Sequence, residues 1–260
     1  MYTKADLLQA IEEMGITKED TVLIHSSMKA IGEVEGGAET VLDAFMEYLC
    51  DGLLVLPAHT WGFINETFNV FDPKKEATCV GILPDLFLKR KGVVRSLHPT
   101  HSVAAYGKDA TEFCKGEENV GTPCAQGGCY DRLRERNAKI LLIGVTHAKN
   151  TFIHCVEELL EVPERFTETP VEFYVCMPDG SYKETQVYRH YNKTTAHISE
   201  AYVKLEQAFY DRGVAKQIMF GDATSILCDA NGIFEVTKKV LSHQINCLME
   251  RETIPEEWWK

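Results

Sequence analysis

No apolar run in this 260-residue chain approaches the roughly 20 residues needed to cross a bilayer, so a membrane-spanning helix is not expected. Basic residues are in deficit, with 27 Lys and Arg against 39 Asp and Glu and a formal net charge of −12. Nucleic-acid binding needs extended basic patches. The only basic clusters are short, Lys89-Arg90-Lys91 and Arg132 to Arg136. The acidic balance suits a cationic small molecule or simple solubility. There is no C-x-x-C pair, although nine cysteines are present, and no Cys/His group has zinc-ligand spacing. The N-terminal stretch MYTKADLLQAIEEMG reads as an amphipathic helix and not as an export signal. Reduced thiols, a cytoplasmic location and no metal are therefore expected. Neither an internal repeat nor a Pro/Ser-rich linker interrupts the chain, which points to one domain over residues 1–260.

Several catalytic signatures are also missing. Without G-x-S-x-G, an α/β-hydrolase is disfavoured. Without G-x-x-x-x-G-K-[ST], G-x-G-x-x-G or H-E-x-x-H, so are P-loop, dinucleotide-binding and zincin sites.

What is present is an alternation of short apolar runs and helical patterns. Helices are expected over Thr3 to Met14, Ala38 to Leu49, Val80 to Lys91, Tyr130 to Arg136, Ile198 to Arg212 and about Ile233 to Met249. Strands are expected at Thr21 to Ile24, Leu53 to Leu56, Val103 to Tyr106, Ile140 to Val145, Lys216 to Phe220 and Ser225 to Cys228. Asp179-Gly180 lies between two alternating segments, Val171 to Met177 and Tyr182 to Tyr188, and predicts an antiparallel hairpin. The β-α-β-α order at the front predicts an α/β fold with a mixed, largely parallel central sheet, flanking helices and that hairpin. Residues 62 to 79 show no period and read as a long ordered loop.

Three strand candidates empty into loops carrying histidine and hydroxyls: His25-Ser26-Ser27, His59-Thr60 and Thr146-His147. Parallel strands end on one edge of a sheet, where α/β proteins place ligands. The third strand then opens a helix with Thr151, His154 and Glu157 at successive three-residue steps, on one face. An imidazole is suited to taking a proton from a nucleophile, and a nearby carboxylate would orient it and favour its charged form. His154 is thus a candidate general base with Glu157 as its partner, Glu158 pointing elsewhere. Thr151 is a candidate oxyanion donor or a helix N-cap. Cys155 diverges from His154 by about 100° on a helix and does not pair with it. A hydrolase or metal-dependent enzyme using His25, His59 and His147, or a non-catalytic binding protein, are the readings from other classes.

As a set, VLIHSSMKAIG (22–32), LVLPAHTW (54–61), VGILPDLF (80–87), VVRSLHPTHSVAAYG (93–107), TPC (122–124), ILLIGVTHAKNTFIHCVEEL (140–159) and, more weakly, FGDATSIL (220–227) resemble the aminoglycoside 3-N-acetyltransferase family. This family is distinct from the GNAT acetyltransferases. The resemblance implies acetyl-CoA as cosubstrate and direct acetyl transfer to the 3-amino group of a deoxystreptamine aminoglycoside. His154 falls on the family's catalytic histidine, with Glu157 and Thr151 in the same motif. The His25-Ser26-Ser27 loop and the loop with Arg95, Ser96, His98 and Ser102 are implied to hold the cosubstrate. His59, Trp61, His147 and His190 are candidates for contacting the acceptor. The resemblance does not extend over Tyr188 to His197. The expected partner is a small-molecule amine, with no nucleic acid and no membrane, and a homo-oligomer is admitted.

Overall fold

Alternation along short apolar strands explains the layering. In β1 (Thr21–Ser26), Val22 and Ile24 join one buried cluster and Leu23 joins another. β2 (Leu53–Pro57) and β6 (Lys139–Ile143) divide their side chains in the same way. A strand buried on both faces needs cover on both. α1 (Lys4–Glu13), α2 (Ala38–Tyr48) and α3 (Ile82–Phe87) cover the first face. α4 (Ala110–Phe113), α5 (Cys129–Glu135), α6 (Phe152–Leu159), α7 (Glu206–Asp211), α8 (Ala230–His243) and α9 (Cys247–Glu250) cover the second. Burying each Leu, Ile or Phe between these layers contributes about 1.5–3 kcal/mol.

The computed structural model describes residues 1–195 and 197–260. Its main sheet has seven strands in the order β4 (Val94–Arg95), β5 (Val103–Gly107), β2, β1, β6, β10 (Ala223–Asp229), β9 (Ala215–Phe220). A second sheet pairs β3 (Val70–Phe71) parallel with β7 (Val171–Cys176), and β7 antiparallel with β8 (Tyr182–Val187). The β7–β8 pairing is the expected hairpin. Gly180 takes φ 85° in its turn, and the Ser181 backbone N–H donates to Asp179 Oδ1 at 2.9 Å.

The parallel part is narrower than the front of the chain suggests. In the seven-stranded sheet only β2–β1 and β1–β6 run parallel, and the outer strands join antiparallel. For the β9–β10 edge the reason is loop length. β9 and β10 are separated by Gly221-Asp222 alone, and so short a link allows only a hairpin. Two expected helices are also divided. Ile198–Leu205 is 3-10 helix before α7 begins, and the last helix breaks between His243 and Cys247. β3, within the aperiodic 62–79 stretch, is too short to leave a sequence pattern. No helix among the described residues is long and apolar enough to cross a membrane.

Since β1, β2 and β6 are parallel, their carboxyl ends share one edge. The loops that begin at Ser27, Ala58 and Gly144 leave from that edge.

Candidate active site

The sharpest turn on this edge is at Gly144, directly after β6. Its φ is 61°, and a Cβ there would lie 2.3 Å from the Ala30 Cβ, so only glycine fits. A 3-10 turn, His147–Lys149, follows, with the Thr146 hydroxyl accepting from the Ala148 backbone N–H. α6 then begins. Phe152, Ile153, Cys155 and Val156 anchor it in the core, and Thr151 and His154 face the cavity. Thr151 makes no side-chain cap bond, and its hydroxyl meets Tyr130 at the cavity wall instead.

His154 is not joined to Glu157 directly. The Tyr202 hydroxyl stands between them, 2.6 Å from His154 Nδ1 and 2.5 Å from Glu157 Oε2. Arg165 Nε donates to Glu157 Oε1 at 2.8 Å, and both side chains are only 1% exposed. Burial pushes the Glu157 carboxyl up, while Arg165 and Tyr202 oppose this. A neutral Glu157 would strand a buried guanidinium, so the carboxylate stays ionised and accepts. The Tyr202 proton therefore goes to Glu157, and the tyrosine oxygen accepts from His154 Nδ1–H. That fixes the imidazole tautomer and leaves Nε2 as a free base, without a hydrogen bond among the described residues. The pairing expected to raise the basicity of His154 does not do so. Its pKa is held well below 6.5, first by burial and then by His190, His59 and Arg165.

A second set of groups fixes the ring from its face. His190 stacks on His154 with centroids 4.1 Å apart and planes at 19°. Its Nε2 lies 2.8 Å from Glu158 Oε1. Glu158 also accepts from the Thr122 hydroxyl at 2.6 Å and the Cys124 backbone N–H at 3.0 Å. Glu158 was expected to point away from the site, yet it holds the ring that packs on His154. Across the cavity, His59 Nε2 is 2.7 Å from the Tyr130 hydroxyl, which in turn meets the Thr151 hydroxyl. The His59 ring also packs on His101, with centroids 4.7 Å apart.

These groups line a cavity of about 620 Å³. His25, Ser26, His59, Trp61, Thr151, His154 and His190 reach it. Buried His25 is neutral, its pKa pushed down to about 3, and its Nε2 has no partner among the described residues. Five expected cosubstrate residues are not brought here, the first being Ser27, whose backbone N–H donates to the Ile143 carbonyl at 2.9 Å. Arg95 donates to the Pro73, Glu76 and Ala58 carbonyls and to the Ser102 hydroxyl, with Phe71 beneath its guanidinium. It borders a separate cavity of about 680 Å³ that contains no histidine. Ser96 accepts from the Val103 backbone N–H, and Ser102 donates to the Ala58 carbonyl. His98 Nδ1 accepts from the backbone N–H of Thr100 and His101. All three are fully buried and build the loop that presents His101. His147 is buried behind the wall, against Phe209 and Asn150. The strand-end histidines form no metal-ligand set among the described residues. The one group with ligand spacing is Cys124, Glu158 and His190, within 4.8 Å of one another. Hydrogen bonds already occupy Glu158 and His190 there.

Tyr202, Arg165 and Tyr130 were not legible as site residues. Tyr202 lies 48 positions beyond His154, on an element whose period resembles any packed helix.

This α/β fold has structural counterparts among acetyltransferases. The structure of AAC-IIIb with CoASH superposes with a TM-score of 0.78 at 21% identity, covering 90% of this chain and 93% of that one. A histidine-to-alanine mutant of the aminoglycoside acetyltransferase AAC(3)-IVa, in complex with a gentamicin, gives 0.80 at 23% identity, covering 94% and 90%. At these identities the likeness concerns the fold. The aminoglycoside 3-N-acetyltransferase family model matches residues 23–242, and the chain belongs to that family. A curated relative, aminoglycoside N(3)-acetyltransferase III of Salmonella sp., is 29% identical over 182 residues. That match covers 64% of this chain and 63% of the relative's length.

Proposed function

We propose that the chain is a single-domain, cytoplasmic, acetyl-CoA-dependent N-acetyltransferase with His154 as general base. The observation that carries this is the Arg165–Glu157–Tyr202–His154 chain, which ends in a free Nε2 on the cavity. The acceptor amine attacks the thioester carbonyl and gives up a proton to Nε2. The carbonyl carbon–sulfur bond breaks, and the thiolate leaves as CoA with the proton from His154. No acyl-enzyme is formed. Buried thiols at Cys124 and Cys155, pushed well above 9 by burial, are unsuited to act as nucleophiles. The Thr151 hydroxyl is suited to stabilising the oxyanion, steadied by Tyr130 and His59. His25 Nε2 and Ser26 supply polar contacts for the cosubstrate at the end of β1. His59, Trp61 and His190 border the acceptor. The family reading extends to the 3-amino group of a deoxystreptamine aminoglycoside as the acceptor.

The test is release of CoA thiol from acetyl-CoA with a panel of amines. His154→Ala should lower turnover by about 10²–10⁴-fold while leaving the fold intact. Undiminished turnover would remove His154 from the mechanism.

A further inference from the structure

We infer that Cys124, Glu158 and His190 form a binding site for a thiophilic divalent cation of the zinc class, which acts on this enzyme as an inhibitor. The inhibition, though not the binding, rests on the acetyl-transfer reading of the adjoining cavity. The three residues are far apart in the chain, so no ligand spacing shows in the sequence. One ligand atom from each nevertheless lies within 4.8 Å of the others. In a tetrahedral zinc site such atoms are about 3.3–3.6 Å apart, so closing on the cation needs a shift of about 1 Å shared among them. His190 lines the cavity of about 620 Å³ and gives the cation its way in. Three protein ligands leave a fourth position for a water from that cavity.

The hydrogen bonds in place leave room for it. Glu158 Oε1 accepts from the Cys124 backbone N–H at 3.0 Å and from His190 Nε2–H at 2.8 Å, while Oε2 accepts from the Thr122 hydroxyl at 2.6 Å. A cation that takes the place of the Nε2 proton keeps the other two bonds, which orient the carboxylate as outer partners orient a metal ligand. The Cys124 thiol makes only a long contact of 4.0 Å, to the Thr151 carbonyl. That carbonyl also accepts from the His154 backbone N–H at 3.0 Å, so it is not stranded when the thiol turns away. Burial pushes the Cys124 thiol up, but a coordinated thiol gives up its proton to solvent. Thiolate and carboxylate then bring two negative charges and a coordinated imidazole none, so the filled site buries no net charge. The consequence falls on the base. The His190 and His154 rings stack with centroids 4.1 Å apart. A divalent cation on one ring disfavours the positive charge that the other takes up with the amine proton.

The experiment uses the full chain, freed of metal by a chelator and kept reduced by a phosphine. Acetyl-CoA consumption with the best acceptor of the amine panel is followed at the thioester absorbance, since released thiol would itself bind zinc. A zinc salt at about 10 µM should lower turnover at least about 10-fold, and Mg²⁺, a hard cation that prefers oxygen, less than about 2-fold. Cys124→Ala should keep turnover without zinc within about 2-fold and raise the zinc inhibition constant at least about 10-fold. Cys50→Ala, at an exposed thiol, should leave that constant unchanged. Co²⁺ supplies a readout that needs no turnover: one equivalent should give a thiolate-to-metal charge-transfer band that Cys124→Ala loses. Cys124→Ser should lose it too, and it serves if the alanine variant fails to fold. Zinc inhibition as strong in the Cys124 variants as in the unaltered enzyme would overturn the inference. So would a cobalt band that survives in them, and either result would leave acetyl transfer standing. No turnover with any amine would remove the acetyl-transfer reading, and the cobalt band would still decide the site.

Discussion

At the scale of single residues, what matters is which atom of His154 carries its proton. Tyr202 accepts from Nδ1 and so commits Nε2 to be basic. Tyr202→Phe removes this constraint and leaves Glu157 short of one donor. Turnover should fall about 10²-fold, the lower range of what a correctly protonated base contributes, with KM for acetyl-CoA nearly unchanged. A fall in the affinity for acetyl-CoA alone would instead put the hydroxyl in substrate binding. His154 is held neutral by burial, so its own titration lies below the working range. The log of kcat/KM should therefore climb with pH up to the pKa of the acceptor amine and show no break near 6.5. A break there would mean an exposed, ordinary imidazole. His154, Thr151 and Glu157 were legible because they sit within two helical turns of one another at regular spacing. Tyr202 and Arg165 were not, because the bond between them and His154 is made by the fold and leaves no local spacing. Ser96, His98 and Ser102 share the polar character of binding residues, but their polar atoms close a loop.

At the scale of elements, α6 and the chain just after it form one device. Glu161 and Glu164 take φ of 53° and 58°, and this reversal returns Arg165 beneath Glu157. Arg165→Met would leave a carboxylate buried without its cation. It should cost about 3–5 kcal/mol in urea unfolding, and adding Glu157→Gln should recover part of that. If the single and double variants were equally unstable, the loss would come from Arg165 packing and not from charge. The elements themselves were largely legible, because apolar runs and the Asp179-Gly180 turn are local signals. The sheet edges were not. Whether a strand joins parallel or antiparallel depends on how its linker folds, which Gly221-Asp222 shows only after β9 and β10 are both recognised as strands.

At the scale of the whole molecule, six histidines have depressed pKa values: His25, His59, His98 and His147 are buried, and His101 and His154 half-buried. In the unfolded chain each takes up a proton near pH 6.5. In the native state His25 and His98 wait until about 3, and His147 until about 4. Between those limits the unfolded state binds more protons, so stability is full above about pH 6.5 and falls as pH drops, by about 1.4 kcal/mol per unit for each site. Glu117, raised to about 7, and Glu157, also raised, work in the opposite sense between about 4.5 and their native values. Six sites outweigh two. Thermal or urea stability should drop by several kcal/mol between about pH 6.5 and 5. A flat profile over that window would mean that the native histidines can charge in place.

The rim of the cavity has a different ancestry in the chain from its floor. The floor comes from β1, β2, α6 and the turn between β6 and α6, held against two apolar layers. Arg189, Ser199 and Glu200, by contrast, come from a single stretch that contributes no strand to the seven-stranded sheet. Substrate choice can therefore drift, or be regrafted by an engineer, through replacement of that one stretch around a retained Tyr202. The machinery beneath would carry over to a new acceptor as an inherited part.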